Sequence, residues 1–323
     1  HSPEDTNPSA SSTEPRPKQL PAAADKRGAA DWYDDQLEQN WKRTRTTGKG
    51  TEVLKKIANL VTETEDQRIE RVGFLQVRLG APRQKLKSAK VLVLGMGGLG
   101  CPLSIYLSSL GIGTIGIIDD DKVELSNLQR QIIHTNDNIN IHKTDSAKKA
   151  ILAINPNINV VTYKERFSIK NAEDIVSNFD IVADGSDNFG TRFLANDVCY
   201  LKNKTLVSAA ILRFEGQIST YSAYKSSNCC YRCLWPEPPP KGLIASCGEA
   251  GVFGALAGSI GSIQGIEILK EILGIGHSLN NHLLIFDTLS SDMRKVKIKK
   301  DNNCKLCGSN PTITSIQNHK DYI

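Results

Sequence analysis

The sequence predicts an α/β protein: a doubly wound, Rossmann-like, mostly parallel sheet with a zinc-tethered antiparallel part near the C-terminus. Three observations predict it. An apolar β-branched run, Lys90–Leu94, breaks into Gly95, Gly97 and Gly100, the G-x-G-x-x-G spacing of a strand turning into a helix. A second such run, Gly113 to Ile118, ends in Asp119, 19 residues after Gly100, where such a unit places a ribose-binding carboxylate. Two C-x-x-C pairs, Cys230/Cys233 and Cys304/Cys307, stand about 70 residues apart and supply the four thiolates of a closed tetrahedral Zn²⁺ site.

The first 30 residues are rich in Pro, Ser, Ala and charge, too poor in apolar surface to offset the entropy of ordering. With the Trp- and Tyr-containing stretch after them, residues 1–50 form a disordered or partner-docking leader. From Thr51 to Leu79, Val53, Leu54, Ile57, Leu60 and Val61 recur at helical spacing and are followed by Arg68 and Arg71. Taken alone, this is a solvated helix with charge pairs. At the glycine turn, Gly95 lets the chain turn, Gly97 and Gly98 let backbone N–H groups approach a phosphate, and Gly100 lets the helix pack on the strand. This half therefore binds a nucleotide, and the glycines alone favour a nicotinamide dinucleotide over ATP.

The residues from Asp119 to Gln131 change that preference. Asn127 and Arg130 lie eight and eleven residues past the ribose carboxylate, where nicotinamide chemistry has no use for them and a triphosphate has. Asp119, Asp121, Ser126, Asn127, Leu128, Gln129, Arg130 and Gln131 resemble the D-x-D-x-V-x-x-S-N-L-x-R-Q signature of the ThiF/MoeB/HesA family, relatives of the ubiquitin-activating enzymes. The resemblance implies that Arg71 is an arginine finger reaching the triphosphate of the neighbouring subunit in a homodimer. It also implies that Lys143, 13 residues after Arg130, contacts ATP. A lysine at a helix start works against the helix dipole, so an anion should hold it.

Further along, Lys143 to Ile154 reads as a helix stopped by Pro156; His134 and His142 read as surface or loop residues. Asn159–Tyr163 and Phe179 to Asp184 are strands. Asp187 follows the latter, where ligands meet an open parallel sheet. A carboxylate beside a triphosphate calls for a cation, making Asp187 a Mg²⁺ ligand, or alternatively the cap of the helix starting near Asn188. The resemblance to D-x-x-D-N-x-x-x-R favours the metal. Thr205–Ile211 is a buried strand, Arg213–Tyr221 begins an exposed-edge pair, Gly251–Leu273 is a buried helix, and Leu283–Asp287 with Lys295–Lys299 close the sheet.

Cys247, in a proline-preceded loop before a helix, is either a reactive thiol or merely accessible; in ThiF-like relatives this position forms a thioester or acyl-disulfide with the activated carrier. The two C-x-x-C pairs have a redox or disulfide alternative, but four thiolates leave a zinc no open position, so the ion is structural. That suits a reducing, cytoplasmic setting.

Net charge is +5, from 40 basic and 35 acidic residues, too mild to argue for nucleic acid, and no apolar run is long enough to span a membrane. The resemblance divides the chain into a leader, an adenylation domain over residues 51–314 and a tail over 315–323. It implies Mg²⁺·ATP-dependent adenylation of the C-terminal Gly-Gly carboxylate of a small ubiquitin-like sulfur carrier, serving molybdopterin, thiamine or thiolated-tRNA synthesis. The run from Cys307 to Thr314 resembles the approach to a sulfurtransferase domain in fused relatives, so sulfur is expected from a separate sulfurtransferase. Adenylation of a peptide or tRNA-bound carboxylate, or a nicotinamide oxidoreductase, are the alternatives.

Overall fold

The computed structural model describes residues 83–225, 227–240 and 251–317; Arg71, Cys247 and the leader lie outside them. All the described residues belong to one compact unit, Thr62–Ile323. The strands are β1 (Lys90–Leu94), β2 (Thr114–Ile118), β3 (Asn159–Tyr163), β4 (Ile181–Asp184), β5 (Thr205–Leu212), β6 (Glu215–Tyr221), β7 (His282–Asp287) and β8 (Asp292–Lys297). They form one sheet in the order β3-β2-β1-β4-β5-β6-β7-β8. From β3 to β5 the pairing is parallel; from β5 to β8 it is antiparallel.

Side chains alternate across a strand, so a strand buried on both faces reads as an unbroken apolar run. In β1, Val91 and Val93 enter one core and Leu92 and Leu94 the other, all at most 1% exposed. The first core packs under α1 (Arg83–Ser88), α2 (Gly100–Ser109), α3 (Lys143–Ile154) and α7 (Gly254–Leu273). The second packs under α4 (Ala172–Ser177), α5 (Phe189–Leu201) and α6 (Tyr231–Leu234). Each fully buried Leu, Ile or Val contributes roughly 1.5–3 kcal/mol, which holds helices on both faces.

Local signals set the ends of these helices. Before Pro156, Asn155 leaves the helical region for an extended conformation, ending α3 at Ile154. The helix α7 ends at Gly274, whose φ of 68° is the left-handed cap that glycine adopts without strain. No helix among the described residues is long and apolar enough to cross a membrane.

Two expectations are corrected. The strand from Arg213 is no exposed edge: β6 lies between β5 and β7, and Ile218 to Tyr221 are buried. The closing strand is Asp292–Lys297 rather than Lys295–Lys299 and is exposed throughout; Ile298, just past its end, is buried. Among the described residues β8 is an edge strand, as β3 is at the other side of the sheet, and its charged residues blunt it against further pairing.

The four cysteine sulfurs converge, within 4.8 Å of one another. Cys230–Cys304 is 3.5 Å, Cys233–Cys307 3.4 Å and Cys230–Cys233 4.0 Å. Zn–S bonds of about 2.3 Å arranged tetrahedrally place sulfurs roughly 3.8 Å apart, so the cluster fits that ion. Beside it, Arg232 (side chain 1% exposed) pairs with Asp197 (0%) at 2.7 Å and lies 4.7 Å over the Phe193 ring. Removing the carboxylate takes from this buried guanidinium the acceptor of its Nε and Nη2. Asp197→Ala should therefore lower unfolding free energy by about 3–5 kcal/mol in urea denaturation, with little change for a surface control such as Asp292→Ala.

Candidate functional site

Strand order reverses between β1 and β4, and in an open α/β sheet that is where ligands bind, beyond the carboxyl ends of the strands. Register makes the place definite. Tyr163, Ile118, Leu94, Asp184 and Ser208 lie in one row across five strands. The residues just past that row, including Glu165, Asp119, Gly95, Gly185 and Ala209, line an open cavity of ≈ 550 Å³.

The glycine turn forms its floor. Gly95 has φ +88°, a conformation L side chains rarely adopt. A Cβ on Gly100 would lie 1.9 Å from the Gly95 carbonyl oxygen, so only glycine lets α2 start this close to the end of β1. No side chain caps α2. The Cys101 N–H already donates to the Gly97 carbonyl at 3.1 Å, so the N–H groups that face an anion are those of the turn itself, at Gly97 and Gly98 in the cavity wall.

Two cations stand over this turn. Arg130 follows the short 3₁₀ turn Leu125–Asn127; its Nη1 donates to the Ser126 carbonyl at 3.2 Å, and its Cγ and Cδ would lie 3.5 and 3.6 Å from a Cβ on Gly98. Lys143 opens α3. Its side chain is 8% exposed, and its ammonium pairs at 2.6 Å with Asp121, which is 65% exposed. The anion expected at this lysine is, in this structure, the Asp121 carboxylate.

Asp119 accepts from the Met96 N–H at 2.7 Å and the Asp121 N–H at 2.9 Å, which joins the end of β2 to the glycine turn. Burial raises its pKa from the usual carboxylate value, against the opposing pull of Lys143 and the two N–H groups. An ionised carboxylate accepts about four hydrogen bonds, leaving capacity for a sugar hydroxyl. Asn127, 7% exposed, uses its side-chain oxygen to accept from the Glu124 N–H at 3.1 Å, which shapes the turn that presents Arg130.

On the other side, Asn188 caps α5 by accepting from the Thr191 N–H at 2.8 Å. The cap thus falls to Asn188 and leaves the Asp187 carboxylate in the cavity wall. Sequence reasoning missed what fixes this loop. Asp184, fully buried, accepts from the Ser186 N–H and hydroxyl, from the Ser208 hydroxyl at 2.8 Å and from Arg192 Nε at 3.3 Å. Arg192 in turn donates to the Ser186 carbonyl at 2.8 Å. Its position at the end of D-x-x-D-N-x-x-x-R was the available signal.

Of the residues expected at the nucleotide, Gly95, Gly97, Gly98, Asp119, Asp121, Asn127, Arg130, Lys143, Asp187 and Asn188 line the cavity. Gly100, Ser126, Leu128 and Gln129 stand outside its wall: Gly100 packs the helix, and Ser126 gives Arg130 its carbonyl.

His134 is not a surface residue. It is 5% exposed, with Nδ1 2.8 Å from the Ser146 hydroxyl and Nε2 3.3 Å from the Met96 carbonyl. Since a carbonyl only accepts, Nε2 carries a proton, and Nδ1 shares a hydrogen bond with the Ser146 hydroxyl. It bridges the glycine turn and the first turn of α3. His142 is half-buried ahead of that helix.

Burial, aided by the Lys143 charge, pushes the His134 pKa below its ordinary value. The unfolded chain then binds the proton more tightly, so this contribution to stability is complete above about pH 6.5 and is lost as pH falls through the lowered value. Thermal unfolding measured between pH 7.5 and 5 should show a smaller acid loss in His134→Gln than in the wild type. An equal loss would remove His134 as the cause.

The model of the ThiF family matches residues 70–306. "Sulfur carrier protein adenylyltransferase" of Thermus thermophilus is 41% identical over 243 residues, 74% of this chain and 90% of that one. "Adenylyltransferase and sulfurtransferase MOCS3" of Culex quinquefasciatus is 41% identical over 268 residues, 82% of this chain and 61% of that one. The MOCS3 of Drosophila virilis is 44% identical over 233 residues, and the match spans 51% of its length. Thus the chain spans only half to three-fifths of the MOCS3 relatives. Among solved structures, "Crystal structure of E. coli MccB + ATP" superposes with a TM-score of 0.66 at 23% identity, covering 75% of each chain, and shares the fold. The family model covers most of the chain and the Thermus relative aligns over nearly its full length; the chain belongs to the ThiF family.

Proposed function

We propose that the protein is an ATP-dependent adenylyltransferase that activates the C-terminal carboxylate of a small, ubiquitin-like sulfur-carrier protein. One observation carries the reading: the glycine turn, Arg130, Lys143 and Asp187 meet in one cavity at the point where strand order reverses. A dinucleotide needs the glycines and Asp119. Two cations gathered beyond the ribose carboxylate suit a chain of phosphates, and the relatives' names supply the carrier.

In this reading a carboxylate oxygen of the carrier attacks the α-phosphorus. A bond forms from that oxygen to phosphorus, the bond from phosphorus to the α,β-bridging oxygen breaks, and pyrophosphate leaves with the electron pair. A carboxylate is a weak nucleophile, so most of the catalysis comes from alignment and from stabilising charge that builds on phosphate oxygens. The N–H groups at Gly97 and Gly98 seat phosphate, Arg130 and Lys143 offset its charge, and Asp119 takes the ribose. For Lys143 to act on phosphate, Asp121 must share or release it.

Asp187, uncommitted to the helix cap, would hold Mg²⁺, which typically takes one or two carboxylates together with substrate phosphates and would neutralise phosphate charge. Arg71 from a second copy of the chain would complete the cation set, and the Cys247 thiolate would take over the acyl group as a thioester, its C–S bond replacing the C–O bond to AMP, which leaves. Both lie outside the described residues. The Cys230, Cys233, Cys304 and Cys307 site would hold a structural zinc, with no open position for catalysis.

Intact-mass analysis of a Gly-Gly-ending carrier incubated with the protein and Mg·ATP should show a gain of AMP, with ATP–pyrophosphate exchange that depends on the carrier. Asp187→Ala or Arg130→Ala should slow exchange by on the order of 10²–10³-fold. Unchanged exchange in both variants would remove their assigned roles. Metal analysis should return about one zinc per chain, and Cys304→Ser should lose it and unfold at lower temperature.

A further inference from the structure

Buried polar atoms without partners are rare in folded proteins, because each gives up its hydration and gains nothing for it. Among the described residues, four side chains carry such an atom: Gln131, His142, Thr144 and Gln264. Of these four, Gln131 alone lines the cavity. It is 3% exposed, and its Oε1 is sealed from solvent without a hydrogen bond.

Its main chain is fixed. The Gln131 N–H donates to the Asn127 carbonyl at 2.9 Å, and its own carbonyl accepts from the His134 N–H at 3.1 Å. The carboxamide therefore sits on a fixed turn, one residue beyond Arg130, in the cavity wall. A half-turn about its last side-chain bond exchanges the carbonyl and N–H₂ ends, so this position can offer either to an entering group. The neighbouring walls are glycine backbone, Arg130 and Lys143. Surroundings of that kind admit an anion, and the N–H₂ end is the one that answers an anion.

We propose that the Gln131 carboxamide is a nucleotide-binding group, donating from its N–H₂ to a non-bridging oxygen of the triphosphate. The identity of the anion rests on the adenylation reading; the unpartnered Oε1 of a side chain in the cavity wall does not. In the nucleotide-free protein the unpartnered Oε1 costs stability, and the N–H₂ hydrogen bond is made only when the ligand enters.

This trade separates a ligand contact from a structural one. Methionine matches glutamine in length and volume and has no polar end to strand. The test is calorimetric titration of the full chain with Mg·ATP, together with thermal unfolding without nucleotide, for the wild type, Gln131→Met and Gln131→Glu. Gln131→Met should unfold at or above the wild-type temperature yet bind Mg·ATP about tenfold more weakly, the size of a charge-assisted contact. Gln131→Glu, with its charge opposed to the phosphates, should bind more weakly still.

A Gln131→Met protein that binds Mg·ATP as the wild type does would assign the carboxamide to bound water. One that unfolds at lower temperature would assign it to the fold. Either result overturns the proposal. Failure of the wild type itself to bind Mg·ATP would instead overturn the adenylation reading on which the choice of anion depends.

Discussion

The approach of Gly100 to the Gly95 carbonyl is the constraint on which the site depends. Any side chain at Gly100 would put a carbon 1.9 Å from that oxygen, so glycine alone lets α2 begin directly against the end of β1. From that contact the rest follows. The uncapped start of the helix faces the cavity, the Met96 N–H comes within reach of Asp119, and the carbonyl of the same residue reaches His134 and thus α3. The glycine turn is held from below by β2 and from the side by the helix that carries Lys143.

A second clamp works across the strand-order reversal. The buried Asp184–Arg192 pair holds the loop of Ser186 and Asp187, and Gln264 of α7 donates to the Asp184 carbonyl at 2.9 Å. An ion pair buried this deeply is weak evidence of net stability. Its structural effect is plain all the same: it ties the loop after β4 to Asp184 and Arg192, with Asn188 spent on the helix cap and Asp187 in the cavity wall. Farther off, the thiol cluster brings the C-terminal segment to α6, and the Arg232–Asp197 pair joins α6 to α5.

The parallel half was legible in the sequence because its signals are local. Asn159–Tyr163 was read to the residue, and β1 and β2 were bounded by glycine, lysine and aspartate that punctuate any chain. The antiparallel half was less so. Whether Glu215–Tyr221 is an edge or an interior strand depends on β7, some sixty residues later, and nothing near Arg213 announces that partner. His134 looked like a loop residue because its burial comes from Met96 and Ser146, distant in sequence on both sides. Lys143 illustrates a subtler miss: the dipole argument correctly demanded a negative partner but could not tell a phosphate from Asp121, 22 residues earlier. Motif spacing brought ten candidate residues to one cavity, while the residues that hold them still, Asp184, Arg192 and His134, emerged only from three-dimensional contacts.

The central claim is that a triphosphate lies on this glycine turn beneath Arg130 and Lys143. A crystal structure of the protein grown with Mg²⁺ and a non-hydrolysable ATP analogue tests it most directly. The account predicts phosphate oxygens within about 3 Å of the amide nitrogens at Gly97 and Gly98, with Arg130 and Lys143 turned onto them and Asp121 drawn away. Phosphates bound elsewhere, or both side chains directed into solvent with the Asp121 pair intact, would contradict it.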